Sequence, residues 1–209
     1  DMRYRNRLAT LVLAALAAGL SVVSVNAGDA YTQHCAQCHG ESGAGNLELG
    51  APHLTGLSES YISRQLSGFK AGWRDNRDLQ TRTMTSAIAT LDDNSLSAAV
   101  AAIARLPHQK AKKTAQTQSG DLARGKDLYT AYCSACHGTN GTGNDALGAP
   151  SLVGLDSDYM NRQYRHFVEG RRGFHPDDRY GKQMARLSLA VKDPNLIHDI
   201  SSYVVQLPF

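Results

Sequence analysis

Two short runs in this sequence have the residue types and spacing for covalent cofactor chemistry: Cys35-Ala36-Gln37-Cys38-His39 and Cys133-Ser134-Ala135-Cys136-His137. All 4 cysteines of the chain lie in them. Two cysteines three positions apart on one helical turn can reach the two vinyl groups along one edge of a porphyrin and form thioethers. The histidine that follows is then placed under the iron as an axial ligand. Attachment consumes both thiols, so none is left for a disulfide. A structural zinc site would need further Cys or His ligands at suitable spacing, and the cysteines are exhausted. A thioredoxin-like dithiol wants a strand before it and a helix after it, and leaves the histidine without a role. The two runs therefore predict two haem c groups, each bound covalently and each carrying iron.

The elements that must position these groups repeat. Shifting residues 35–74 by 98 positions lays them on 133–172 with 20 identities in 40 positions. Leu49-Gly50-Ala51-Pro52 meets Leu147-Gly148-Ala149-Pro150, and Tyr61, Arg64, Gln65, Phe69, Gly72 and Arg74 meet Tyr159, Arg162, Gln163, Phe167, Gly170 and Arg172. After a two-residue insertion in the second copy, Met84 meets Met184. This is a duplicated domain. Helical spacing of Tyr61, Gln65, Leu66 and Phe69, and of Tyr159, Gln163, Tyr164 and Phe167, predicts a helix in each copy. Further helices are expected around Ala30–Cys35 and Ala123–Cys133, from Leu96 to Leu106 behind Asp92 to Ser95, and after Asp193-Pro194-Asn195 up to Leu207. The glycine-rich stretches 40–50 and 138–148 read as loops. No alternating strand pattern is present, so the fold class is all-α.

Residues 107–119 are rich in Lys, Gln, Thr and Ser and read as an exposed linker between an N-terminal domain, 28–106, and a C-terminal domain, 120–209. Residues 1–27 read as a signal peptide: Arg3, Arg5 and Arg7 precede the apolar stretch Leu8 to Val25, and Val25-Asn26-Ala27 offers a cleavage site. The rival reading is a retained membrane anchor, since that stretch is at the lower length limit for a span. Net charge is +3. Removing 1–27 takes away three Arg and one Asp, which leaves +1. The N-terminal domain holds six Lys or Arg against eight Asp or Glu, the C-terminal domain ten against ten, and Lys110, Lys112 and Lys113 lie between them. Such a balance gives no basic footprint for nucleic acid.

The sixth ligands must come from elsewhere in each copy. Met84 and Met184 occupy matched positions, whereas Met160 aligns with Ile62 and is expected to pack. A thioether is soft and favours ferrous iron, so His/Met ligation raises the reduction potential and leaves no open position. His34, His53, His108, His166, His175 and His198 lack equivalents in the other copy. Surface or loop roles are expected for them, with His53, next to Pro52, a candidate contact near the cofactor.

With Cys-x-x-Cys-His near its start and the methionine well downstream, each copy resembles a class I cytochrome c. The pair, with Gly-Ala-Pro-x-Leu, Tyr-x-x-Arg-Gln and Gly-x-Arg in both copies, resembles the dihaem cytochrome c4 family over essentially all of residues 28–209. The resemblance implies that the Pro52 and Pro150 carbonyls accept the ring N–H of His39 and His137. It also implies two domains face to face with their haems close, and Arg74, Arg172 and Trp73 as propionate, interface or packing residues. The basic linker departs from the family pattern and leaves the interdomain geometry open. By the same resemblance the chain is a periplasmic electron carrier between a quinol-oxidising complex and a terminal oxidase, not an enzyme. The alternatives are an electron-accepting subunit of a periplasmic dehydrogenase, such as one oxidising sulfur compounds, and a dihaem peroxidase. The peroxidase needs one iron with an open position, which matched Met84 and Met184 argue against. Membrane contact would come through the partners or through a retained N-terminal segment.

Overall fold

The computed structural model describes residues 27–109 and 119–208. The expected signal segment, most of the expected linker and its lysines Lys110, Lys112 and Lys113 lie outside the described residues. The N-terminal half contains α1 (Ala27–His34), α2 (Ala36–His39), α3 (Glu59–Lys70), α4 (Leu79–Ala89) and α5 (Asp93–Ala104). The C-terminal half repeats the order with α6 (Leu122–Tyr132), α7 (Ser134–His137), α8 (Ser157–Val168), α9 (Arg179–Ser188) and α10 (Pro194–Val204), plus a short 3-10 turn at Asp145–Leu147. Among the described residues the only β pairings are isolated bridges, Asn46 with Ala51 and Asn144 with Ala149. None of the described helices is long and apolar enough to cross a membrane.

Side-chain caps start most of these helices. Ser58 accepts from the Tyr61 amide ahead of α3, and Asp156 from that of Tyr159 ahead of α8. Asp78 and Asp92 cap α4 and α5; Asp178 and Asp193 do the same for α9 and α10, with Pro194 in the first turn of α10. Each cap satisfies an amide that the helix itself leaves without a partner. The first and last helices of each half pack together, α1 on α5 and α6 on α10. At the second crossing Gly125 lies so close to the Asp199 carbonyl that a Cβ would collide with it. Tyr31, Ile62, Ala102 and Ile103 form the main buried cluster of the N-terminal half, and Tyr129, Val191, Ile197, Ile200 and Val204 that of the C-terminal half. Both cores are small, which leaves room for a large apolar group to complete them.

The sequence reading missed α4 and α9, the helices that carry Met84 and Met184. The first, LQTRTMTSAIA, has only a weak apolar stripe. The second, RYGKQMARLS, does carry Tyr180, Met184 and Leu187 at helical spacing, a signal that was present but too short to be picked out among the surrounding charged residues. Three threonines in the first and a glycine in the second add weak helix propensity. The caps Asp78 and Asp178 were a further signal.

Candidate functional site

Each Cys-x-x-Cys-His run closes one helical turn. The His39 amide donates to the Cys35 carbonyl and the His137 amide to that of Cys133, both at 2.9 Å. The turns are held from behind: the Tyr31 hydroxyl donates to the Gly40 carbonyl and the Tyr129 hydroxyl to that of Gly138, both at 2.5 Å. Burial, helped by the second thiol of each pair, pushes the Cys35 thiol up to about 11 and that of Cys133 up to about 12. A reactive dithiol needs the opposite shift, so these are not thiolate sites.

His39 Nδ1 lies 2.9 Å from the Pro52 carbonyl oxygen, and His137 Nδ1 lies 2.9 Å from that of Pro150. A carbonyl can only accept, so Nδ1 carries the proton and Nε2 is the nitrogen with a free lone pair. Burial holds both imidazoles below their ordinary pKa against the opposing effect of the carbonyls, which favours the neutral, metal-binding form. Gly45 and Gly143 make this approach possible. Their φ angles are +79° and +83°, and a Cβ on Gly45 would meet the Ala51 oxygen and His53 nitrogen at 2.8 Å. A Cβ on Gly143 would meet Pro150 and Ser151 backbone at 2.6 Å. Only glycine lets the loop lie against the proline segment.

In the C-terminal half an apolar cleft, with about 1080 Å³ of empty space including its mouth, brings together Cys133, His137, Pro150, Met160 and Met184. Met160 also packs against the core, as its alignment with Ile62 suggested. Cys136 is exposed, outside this lining. In the N-terminal half Cys35 packs against the core cluster, Cys38 and Met84 are half-buried, and Met84 sits mid-way along α4. Paired thiols on one turn, a neutral imidazole oriented by a carbonyl, and an apolar cleft large enough for a porphyrin fit a covalently held haem.

The cleft runs on to the contact between the halves, where Tyr61, Arg64 and Gln65 of α3 join its lining. That contact is reciprocal. Arg64 Nη2 donates to the Gly148 carbonyl at 2.8 Å, and Arg162 Nη2 donates to the Gly50 carbonyl at 2.6 Å. Arg74 Nη1 donates to Gln163 Oε1 at 3.0 Å, and Arg172 Nη2 donates to Gln65 Oε1 at 3.0 Å. Arg74 also bonds Gln65, and Arg172 also bonds Gln163 at 3.0 Å and the Tyr61 hydroxyl at 3.3 Å. Burial, and then the nearby Arg172, brings Arg74 down to about 10. These two guanidiniums hydrogen-bond amide and hydroxyl oxygens, so a carboxylate-bearing ligand would be well received beside them. Trp73 also lies in this contact, stacked on His175 with ring centroids 5.8 Å apart. The matched polar residues Arg64/Arg162 and Gln65/Gln163 were the signal that could have revealed the network, because a polar identity is not explained by core packing.

One of the unmatched histidines needs a correction. His34 and His108 are exposed, His175 and His198 are half-buried, and His53, though buried, lies in a loop as expected, whereas His166 is buried on a helix. His53 Nε2 is 2.6 Å from Thr55 Oγ1. His166, on α8, faces Asp78 of the other half. Desolvation lowers the His166 pKa from 6.5 to about 4, outweighing the opposite pull of Asp78. Below pH 6.5 the unfolded chain takes up a proton on His166 that the folded protein refuses until about pH 4. Stability from this group is therefore full at pH 7 and is lost as pH falls, by about 2 kcal/mol at pH 5. Denaturation midpoints recorded from pH 7 to pH 5 are expected to fall in the native protein and to fall less in His166→Asn. Equal slopes would show that His166 is not refusing the proton.

A family model described as Cytochrome c matches residues 25–107 and 122–208. Cytochrome c4 of Stutzerimonas stutzeri is 30% identical over 207 residues, covering 93% of this chain and 96% of the relative. The thiosulfate dehydrogenase electron acceptor of Stutzerimonas stutzeri strain A1501 is 28% identical over 154 residues, 70% of this chain and 68% of the relative. Among solved structures, reduced recombinant cytochrome c4 from Pseudomonas stutzeri superposes with a TM-score of 0.69 at 26% identity, over 87% of this chain and 97% of that one.

Proposed function

The chain belongs to the cytochrome c family and is a c4-like dihaem electron-transfer cytochrome, and from that premise we propose that it is a periplasmic carrier passing electrons from a quinol-oxidising complex to a terminal oxidase. Domains 28–106 and 120–209 each hold one haem c, linker 107–119 joins them, and residues 1–27 direct export. Cys35 and Cys38, and Cys133 and Cys136, are the attachment points. His39 with Met84, and His137 with Met184, would hold the irons.

The observation that carries this reading is the meeting of His137 and Met184 in one apolar cleft, with Met84 at the equivalent place on α4. Bound haem supplies one-electron redox chemistry at each iron. The protein sets the conditions for it. Pro52 and Pro150 fix the orientation of the proximal rings, and the thioethers of Met84 and Met184 favour the ferrous state. With His39, Met84, His137 and Met184 all committed to holding the two irons, neither site would keep a place for a substrate. Arg74 and Arg172, at the contact between the halves, would receive the carboxylates of the bound group. Cys136 lies at the surface, so a haem held through it would be attached at a point open to a partner. Such partners bind through small interfaces and release quickly.

A second reading is supported by the relative described as a thiosulfate dehydrogenase electron acceptor. In that role the same two haems would drain a periplasmic dehydrogenase that oxidises a sulfur compound. Affinity purification of the tagged chain separates the two, since only the second reading requires a catalytic subunit to co-purify.

A redox titration of the holoprotein followed by its visible spectrum tests the shared core of both readings. The expected result is two low-spin haems of high potential with the thioether-to-iron charge-transfer band. One high-spin or strongly negative haem would remove the carrier assignment and favour an enzyme.

A further inference from the structure

Reciprocity between the halves fails at one place. The 98-residue shift pairs His166 with Gly68 and Arg171 with Trp73. On the Trp73 side the contact is aromatic: the indole lies over Gly68, where a Cβ would meet its Cε3 at 2.7 Å, and stacks on His175. On the other side it is ionic. Arg171 Nη2 donates to Asp78 Oδ2 at 2.9 Å, and His166 Nε2 lies 3.6 Å from the same oxygen. The side chains of His166, Arg171 and Asp78 are only 4%, 15% and 16% exposed. Glu169 holds the second arm of Arg171 at 3.3 Å, and the Asp75 amide donates to the Arg171 carbonyl at 3.0 Å.

Asp78 is also the cap of α4. Its Oδ1 accepts from the Thr81 amide at 2.9 Å, so each carboxylate oxygen has a separate task. One starts the helix and the other holds the opposite domain. Met84 lies less than two turns further along that helix. Moving Asp78 therefore moves the start of the element that carries Met84.

We propose that Asp78 and Arg171, packed against a neutral His166, form an interdomain clasp that positions the Met84 helix, so that methionine ligation in the N-terminal domain depends on an ion pair between the domains for which the Met184 helix has no counterpart among the described residues. The proposal rests on the reading that Met84 is an axial ligand. Asp78, Arg171 and His166 are positioning residues, since none of them is assigned a contact with the cofactor. Their effect is to make two sites of matched sequence unequal.

Imidazole competes with methionine for ferric haem iron and is the probe. Titration of the ferric holoprotein is followed by the charge-transfer band and by the ε-methyl NMR signals of the two methionines, assigned with Met84→His. In Arg171→Gln, imidazole is expected to displace Met84 about tenfold more readily, as for loss of a partly buried ion pair, while displacement of Met184 is unchanged. Arg171→Lys keeps the charge and is expected to recover most of the difference. Unchanged affinities at both sites, or equal increases at both, would overturn the clasp. A native protein with no Met84 signal would overturn the ligation reading and the clasp with it, whereas a native Met84 signal with unmoved affinities overturns the clasp alone.

Discussion

Met184→His in the holoprotein is expected to lower the reduction potential of one haem by on the order of 0.2 V, within the roughly 0.8 V span that axial ligands command, and to leave the other haem where it is. Met184 lines the C-terminal cleft together with His137, on a helix whose start is fixed by the Asp178 cap. A thioether is a soft donor that stabilises ferrous iron, whereas a second imidazole favours the ferric state. Half of the charge-transfer band should vanish while the spectrum stays low-spin. The titration should change from two close high potentials to one high and one low. A variant with both potentials unmoved would place Met184 among the packing residues, as Met160 is.

The second large effect is structural. Cys133→Ala with Cys136→Ala is expected to leave the C-terminal domain without its haem and largely unfolded. The cleft is lined mainly by apolar groups around about 1080 Å³ of empty space including its mouth, and several of the core residues, Val191, Ile197, Ile200 and Val204 among them, face it. Water in such a cleft would not replace the lost apolar contacts. A domain holds only about 5–15 kcal/mol of net stability, which the loss of so large a buried group is enough to exhaust. Haem content should fall from two groups to one, with loss of part of the helical circular dichroism and rapid proteolysis confined to 120–209. A single-haem variant with unchanged helix content and melting temperature would mean that the polypeptide core suffices.

How far the sequence reveals these features depends on range. The attachment turns were legible because Cys, Cys and His are fixed by local spacing, and the proline carbonyls followed from a family pattern at matched sites. The helices around Tyr61 and Tyr159 were legible from apolar periodicity. The α4 helix was not, because it owes its position to its cap and to packing rather than to a strong apolar stripe, and α9 was missed although Tyr180, Met184 and Leu187 stand at helical spacing within its ten residues. The contact between the halves was legible only as a set of unexplained polar identities. Pairing Arg64 with the Gly148 carbonyl, 84 residues away, needs the tertiary structure. His166 was expected at the surface or in a loop because it has no counterpart in the other copy, yet it is buried on α8. That inference fails at an asymmetric contact, where a residue unique to one copy can be buried against the other copy.

Arg64 reaches for Gly148 and Arg162 reaches for Gly50, residues that the repeat makes equivalent. A contact in which residue i touches j while j touches i is isologous, the geometry of a homodimer with a two-fold axis. The chain is thus assembled like a pair of subunits that happen to share one backbone. A protein carrying a single copy would present the same donors and acceptors to a second molecule and could close the same dimer. Joining the copies in one chain frees each to mutate without its twin, since a change on one side is no longer repeated on the other. Gly68 with Trp73, and their equivalents His166 with Arg171, show what that freedom permits: one side of the seam closed by aromatic stacking and the other by an ion pair.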